Sequence, residues 1–556
     1  MEPLPHIDAE SAPRDIGSRL AQARRDAGLN QKALAKRLGV PLWRVAHLEA
    51  GRGDVSSFLP AIASVTERSV EWFRSSPSRE RSALGRVRTD ASSAHAEGAD
   101  LGLWLVVAVI ALLILIRFFT EVVPILPRAL NFVDVPLLFA LGLAAMVRPV
   151  KERPSMAFAV PVTVFLGICA LSVAVNTSRV AVAPVLVFIY GFLAPFAVYA
   201  AVYRLWPVGR AHSLSRLLVG LGLVQLLVVV VIDLPRFLRS HDPDVISGTF
   251  GTNAYQLVFF LLVFTALIAG IATLEPGRAS ARLAPVLFAL VMGTILLAQY
   301  RALLFTTAVT VVLIGVLLGG RTRGLVTVAA VAASFVFALW YVSTHFPALK
   351  FGSTIATFQS DPGYYASSRL DAMRKVLRLY SDEPRFMLTG TGPGTFSSRA
   401  WQTFARADSD SRSNVQGRYV SAVTGGEGYH TDVADKYVVP ELSSGRVIGG
   451  SRAVTSPISS YSSLLAEVGV FGFLLIVAVY LTATARSIRM TLVAIRRRRP
   501  GDSLPSLLLA CSVAFVVLLQ MGLLQNWLEV ARVTFIAWAL LGVTSKEFDA
   551  RYGDEG

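Results

Sequence analysis

The chain has 556 residues, of which 54% are hydrophobic and 16% charged, and its net charge is +16. Ordinary soluble chains sit nearer ~45–50% apolar and ~25% charged, which excludes a disordered, collagen-like or simply cytosolic protein. The two cysteines, Cys169 and Cys511, both fall in apolar runs, which excludes a disulfide framework and makes neither a metal ligand.

The first hundred residues are polar and hold no apolar run long enough for a secretory signal. Within them, residues 14–74 carry helical periodicity. Ile16, Leu20 and Ala23 line one face of a first helix, which Gly28 ends. Asn30 is placed to cap a second helix, Gln31 to Leu38, with Leu34, Ala35 and Leu38 inward. Gly39 permits a tight turn, and Pro41 opens a third helix where its missing N–H costs little. Val45 and Leu48 close the core, and Glu49-Ala50-Gly51 follows. This arrangement resembles the Cro/C1 type of helix-turn-helix. Such a module implies either DNA or a cytoplasmic protein as partner, contacted through Gln31, Trp43, Arg44 and His47. Residues 41–50 contain no Lys, and the near-balance of charge over residues 1–100 leaves both partners open. Residues 76–100, rich in Ser, Arg, Ala and Gly, read as a flexible linker.

The remainder reads as an all-α polytopic membrane protein. A helix needs about 20 apolar residues to cross the hydrocarbon core. Twelve stretches qualify: 101–119, 130–147, 156–175, 180–203, 215–234, 254–274, 282–299, 301–319, 324–343, 461–485, 504–523 and 526–543. The polar cluster Gln299-Tyr300-Arg301 divides an apolar run otherwise too long for one crossing. With the N-terminus inside, the inner gaps carry 18 Lys and Arg and the short outer gaps six. That asymmetry places both termini in the cytoplasm and a large loop, 344–459, outside the cytoplasmic membrane. Most of the positive charge is therefore topological.

Four features gather on the outer face. Asp244-Val-Ile-Ser-Gly-Thr-Phe-Gly-Thr-Asn253 enters the sixth span, with Gly248 and Gly251 for a tight bend and Asn253 as a cap. Tyr300-Arg301-Ala-Leu-Leu opens the eighth, and an Arg so near the apolar core must snorkel, pair or bind an anion. An amphipathic helix over 368–380 carries Arg369, Arg374, Lys375 and Arg378, and is followed by Gly390-Thr-Gly-Pro-Gly-Thr-Phe396, whose glycines suit a turn that brings backbone N–H groups to a ligand. Ser459-Ser-Tyr-Ser-Ser-Leu-Leu-Ala-Glu467-Val-Gly-Val-Phe-Gly472 leads into the tenth span, with Glu467 near a helix N-terminus.

The order of these motifs, with Asn526-Trp-Leu-Glu529 in the last span, resembles the O-antigen ligase and polymerase superfamily over about residues 101–545. The resemblance implies a glycosyltransferase that draws glycan from an undecaprenyl-diphosphate-linked donor and passes it to a hydroxyl or another lipid-linked glycan. It implies neither metal nor nucleotide sugar. Arg301 and Arg369 match the family's arginines by position, with Arg374, Arg236 and Arg239 as further diphosphate ligands. Guanidiniums suit this task because they bind phosphate oxygens bidentately and stay charged. Ligases of the superfamily carry a His just before the Y-x-x-L helix. Pro457-Ile-Ser-Ser460 stands there in this chain, so His430 and Glu467 are the candidate bases. Two other readings are a transporter, disfavoured by how few ionisable residues lie within the spans, and a membrane-tethered regulator that acts through the helix-turn-helix.

Overall fold

The computed structural model describes, apart from short gaps, residues 20–73, 101–147, 156–298, 301–345, 363–405, 429–438, 459–498 and 501–552. The chain forms two compact units, Met1–Gly98 and Ala99–Gly556. No strand occurs among the described residues.

In the first unit, α1 (Gln31–Leu38), α2 (Leu42–Glu49) and α3 (Leu59–Thr66) pack with Leu20 and Ala23 around a core that includes Leu34, Ala35, Val45, Leu48, Ile62 and Phe73. The Asn30 side chain accepts the Ala33 N–H at 2.8 Å, which caps α1. At the other end Gly39, with φ of 68°, returns its N–H to the last turn. Glu49 joins the pieces. Its carboxylate takes the Arg24 guanidinium at 2.5 Å and the Gln31 amide at 2.7 Å. Ile16 and Gly28 lie outside the described residues.

The second unit is a bundle of α4 (Leu101–Val122), α5 (Asp134–Val147), α6 (Met156–Val175), α7 (Val182–Leu205), α8 (Ala211–Ser240), α9 (Ala254–Leu274), α10 (Ala284–Leu297), α11 (Arg301–Leu318), α12 (Thr322–His345), α13 (Gly363–Asp382), α14 (Arg399–Ala405), α15 (Asp432–Tyr437), α16 (Ser460–Arg496), α17 (Leu504–Leu524) and α18 (Ala531–Tyr552). Eight of these are long and apolar enough to cross a membrane: α4, α6, α7, α8, α9, α12, α16 and α17. Twelve were expected. Three of the other four are shorter apolar helices, over 135–146, 284–297 and 306–318. The last, α18, starts five residues later than its apolar stretch and runs on through Lys546, Glu547 and Asp549.

Inside lipid, association rests on close packing more than on transfer from water, and small residues mark the closest approaches. A Cβ at Gly270 in α9 would lie 2.8 Å from the Ser506 backbone of α17, and one at Gly542 in α18 would lie 3.0 Å from the Tyr199 carbonyl of α7. Helix α9 is buried along nearly its whole length. Trp538 anchors the far side, with edge-on contacts to Phe158, Phe196, Tyr480 and Phe515, each worth about 0.5–1.5 kcal/mol beyond area.

The bundle has two chemically distinct ends. At one, the Glu547 carboxylate accepts from Trp206 Nε1, Gly209 N, Arg210 N and Arg551, while Asp549 meets Tyr203 and Arg486. The opposite end holds α13, α14 and α15 and the joints described next.

Candidate functional site

The loop-bearing end is organised by buried carboxylates. Residue Glu467, fully buried near the start of α16, accepts the backbone N–H groups of Gly394 (2.6 Å), Phe396 (3.0 Å), Ser397 (3.0 Å) and Ser398 (2.9 Å). The glycine-rich loop therefore does close around an anion, but the anion is the protein's own. The loop's N–H groups at 394 and 396–398 are thus taken rather than held open for a ligand, and the Glu467 carboxylate accepts all four. Positive φ at Gly394 (76°) and Gly469 (70°) makes the geometry possible. At Gly469 a Cβ would stand 2.7 Å from the Leu388 carbonyl, so α16 kinks there against the short turn Phe386–Thr389.

A second carboxylate, Glu529, continues the series. Oxygen Oε2 accepts the Arg399 N–H at 2.6 Å, one residue beyond the stretch that Glu467 holds. The loop carrying Glu529 is fixed by the first residue of α16, where Ser460 Oγ donates to Asn526 Oδ1 at 3.0 Å and accepts the Leu528 N–H at 3.1 Å. The half-buried Arg399 guanidinium lies over the Tyr255 ring at 5.7 Å and donates to its hydroxyl at 3.2 Å. Trp527 packs on the other flank of Tyr255, with ring centroids 5.9 Å apart.

Two more guanidiniums belong to this end. Arg117 lies 3.8 Å from Glu121, and its charge, with that of Arg399, reaches the Tyr255 hydroxyl. Arg532, buried at the start of α18, donates to the Asn131 carbonyl, and the Asn131 amide donates to Glu121 at 2.7 Å. A π turn at Phe118–Val122 ends α4 and turns Thr120 and Glu121 toward Asn131. A second π turn, Val229–Asp233 in α8, aims Asp233 at the N–H groups of Ser247 (3.0 Å) and Gly248 (2.6 Å). Gln225 and the Ile114 carbonyl bind Thr249. The Gly248–Gly251 bend is thus bolted between α4 and α8. Asn253 makes no side-chain cap; its amide turns back to the Phe250 carbonyl at 3.2 Å.

Of the arginines singled out from sequence, Arg236, Arg239 and Arg374 are exposed. Arg301 opens α11 and Arg369 lies in α13, but both side chains are outside the described residues. Arg117, Arg399 and Arg532 were not singled out because Arg117 and Arg532 read only as ionisable residues near span ends and Arg399 only as part of a polar loop.

His430 lines an open cleft of about 470 Å³ formed by residues 178–181 and 429–432. Its Nδ1 is 3.3 Å from Asp435 Oδ1. Arg179 in the same cleft is held by Asp432 at 2.8 Å and stacks over Phe386 at 5.2 Å. Burial pushes the Tyr429 hydroxyl up to about 12, and as a neutral donor it binds the Arg179 carbonyl at 2.7 Å.

In the first unit, Trp43, Arg44 and His47 project from α2. The Trp43 side chain is 61% exposed, with its ring edge-on to His47 at 5.7 Å, and the Arg44 guanidinium lies over Phe58 at 5.0 Å. Gln31 differs from these three, since its amide is spent on Glu49.

Residues 20–73 match the helix-turn-helix family. No curated protein matches the chain.

Proposed function

We propose that the second unit is a membrane glycosyltransferase of the O-antigen ligase/polymerase type. It takes glycan from an undecaprenyl-diphosphate-linked donor on the outer face of the cytoplasmic membrane and passes it to a glycan or hydroxyl acceptor for surface polysaccharide assembly. The observation that supports this reading is the Arg399 guanidinium on Tyr255, with Arg117 and Arg532 at the same loop-bearing end. Diphosphate departs with negative charge, and preorganised guanidiniums stabilise that charge as the C–O bond breaks. Arg301 and Arg369 remain proposed diphosphate ligands through the resemblance.

The test is transfer by the purified full chain, given an undecaprenyl-diphosphate-linked oligosaccharide and read by product length. A ladder identifies a polymerase, and a single addition to a supplied acceptor identifies a ligase. Arg399→Ala, Arg301→Ala and Arg369→Ala are each expected to lower turnover at least 100-fold in protein that still inserts. Full activity in all three variants, or no product from the wild type, overturns the proposal.

The helix-turn-helix match favours a second role, in which the first unit ties this activity to DNA or to a cytoplasmic protein. Deletion of residues 1–75 is expected to leave transfer intact. Loss of transfer would make the module part of the enzyme.

A further inference from the structure

If the second unit is a transferase, the attacking hydroxyl needs a proton acceptor. Glu467 cannot serve, because four backbone N–H groups already fill its carboxylate. Glu529 has the opposite arrangement. It is more than nine-tenths buried, its Oε2 is fixed by the Arg399 N–H, and for its Oε1 the remaining neighbour is the Asn526 side chain. Gln256 Oε1, also buried, has no hydrogen-bond partner among the described residues. These buried polar groups lie on the loop before α18, which Glu529 joins to the Arg399 N–H, and on the first turn of α9, which carries Tyr255, the partner of the Arg399 guanidinium. Such groups cost free energy when nothing binds them.

We propose that Glu529 is the catalytic proton acceptor for the incoming hydroxyl, and that Asn526 and Gln256 hydrogen-bond the polar acceptor. This rests on the transferase reading above. As the acceptor oxygen bonds to the anomeric carbon of the donor, the bond from that carbon to the diphosphate oxygen breaks and its electron pair leaves with the diphosphate. The hydroxyl proton passes to Glu529 Oε1 and then to water. Arg399 serves both halves: its backbone N–H fixes the base, and its guanidinium faces the leaving group. Charged and titratable groups that act on Glu529 are Glu467 from α16 and Arg399 from the loop, with Asn526 beside it. Tyr255 from α9 stands one contact away through Arg399, and Arg532 lies three residues on in α18. From α7 the contact is Gly191, packed on the Glu529 backbone.

The experiment uses the full chain in liposomes, with the lipid-linked oligosaccharides of membranes lacking this chain as donor. Release of undecaprenyl diphosphate gives the rate, and binding of undecaprenyl diphosphate is measured separately. Glu529→Gln keeps an acceptor for the Arg399 N–H. It is expected to bind undecaprenyl diphosphate as the wild type does, to turn over at least 100-fold more slowly, and to lose the acid limb of the pH–rate profile. Turnover within threefold of wild type, with the limb intact, overturns the assignment of Glu529 alone. Loss of that limb in His430→Ala, with Glu529→Gln unaffected, moves the base to the loop histidine. Should Glu529→Gln not insert, Glu529→Asp decides. A displaced acid limb with a lower rate supports the proposal, and a profile superimposable on wild type overturns it. A wild type that neither binds undecaprenyl diphosphate nor releases it removes the transferase reading, and Glu529 with it.

Discussion

The chemistry of the loop-bearing end turns on how two glutamates use their oxygens. Glu467 binds four N–H groups within residues 394–398 of one loop, so it shapes the loop that delivers Arg399. Replacing it with Gln substitutes an NH₂ donor for one carboxylate oxygen and turns that donor toward other donors. Hydrogen bonds to a charged group contribute about 1.5–3 kcal/mol each. Part of that is recovered by the remaining oxygen, so Glu467→Gln is expected to lose on the order of 3 kcal/mol. A thermal melt in detergent checks this, and an unchanged midpoint would show that the carboxylate is not what holds the loop. Lost stability with donor binding retained would separate Glu467 from Glu529, where the expected loss is in rate. The sequence displayed both residues as acidic groups near helix starts. It did not display which one is saturated, because that depends on backbone N–H groups about seventy residues away in the chain.

At the scale of the element, the helices themselves were legible. All twelve apolar stretches correspond to helices, and Asn30, Gly39, Leu34 and Val45 take the places that capping and periodicity assign them. What escaped is the irregular backbone between and within them. The π turns at 118–122 and 229–233 fall at the ends of apolar runs, where periodicity carries no mark of an extra residue per turn. The kink in α16 had a sequence sign, Gly469, but its cause is an approach to the Leu388 carbonyl that no local pattern reports. Gly469→Ala brings a Cβ to 2.7 Å from that oxygen and forces a left-handed φ on a residue that disfavours it. The expected cost is about 1–3 kcal/mol, read as a lower melting temperature. Gly472→Ala is a demanding comparison, since its Cβ would also meet a neighbour, but from a residue without a positive φ and against the Val468 side chain. A larger loss at Gly469 than at Gly472 identifies backbone strain, not crowding, as the cause.

For the whole molecule, sidedness decides whether the chemistry is possible at all. A polyprenyl-diphosphate glycan destined for the surface is accessible only at the outer face, so Arg399, Tyr255 and Glu529 must open there. Gly209 and Asp502 stand at the Glu547 end, His430 stands beside Arg179 at the loop-bearing end, and Ser240 closes α8, whose other end, Ala211, follows Gly209. The Glu547 end collects Arg204, Arg210, Arg486, Lys546 and Arg551, the pattern expected of a cytoplasmic face. The native thiols offer little background, because Cys169 and Cys511 are both buried. Ser240→Cys is therefore expected to react with a membrane-impermeant maleimide in intact cells. Val208→Cys, 48% exposed between α7 and α8, is expected to react only after permeabilisation. The reverse pattern would put the guanidiniums on the cytoplasmic side. It would exclude transfer from an outward-facing lipid-linked donor and leave the helix-turn-helix as the unit from which the function must be argued.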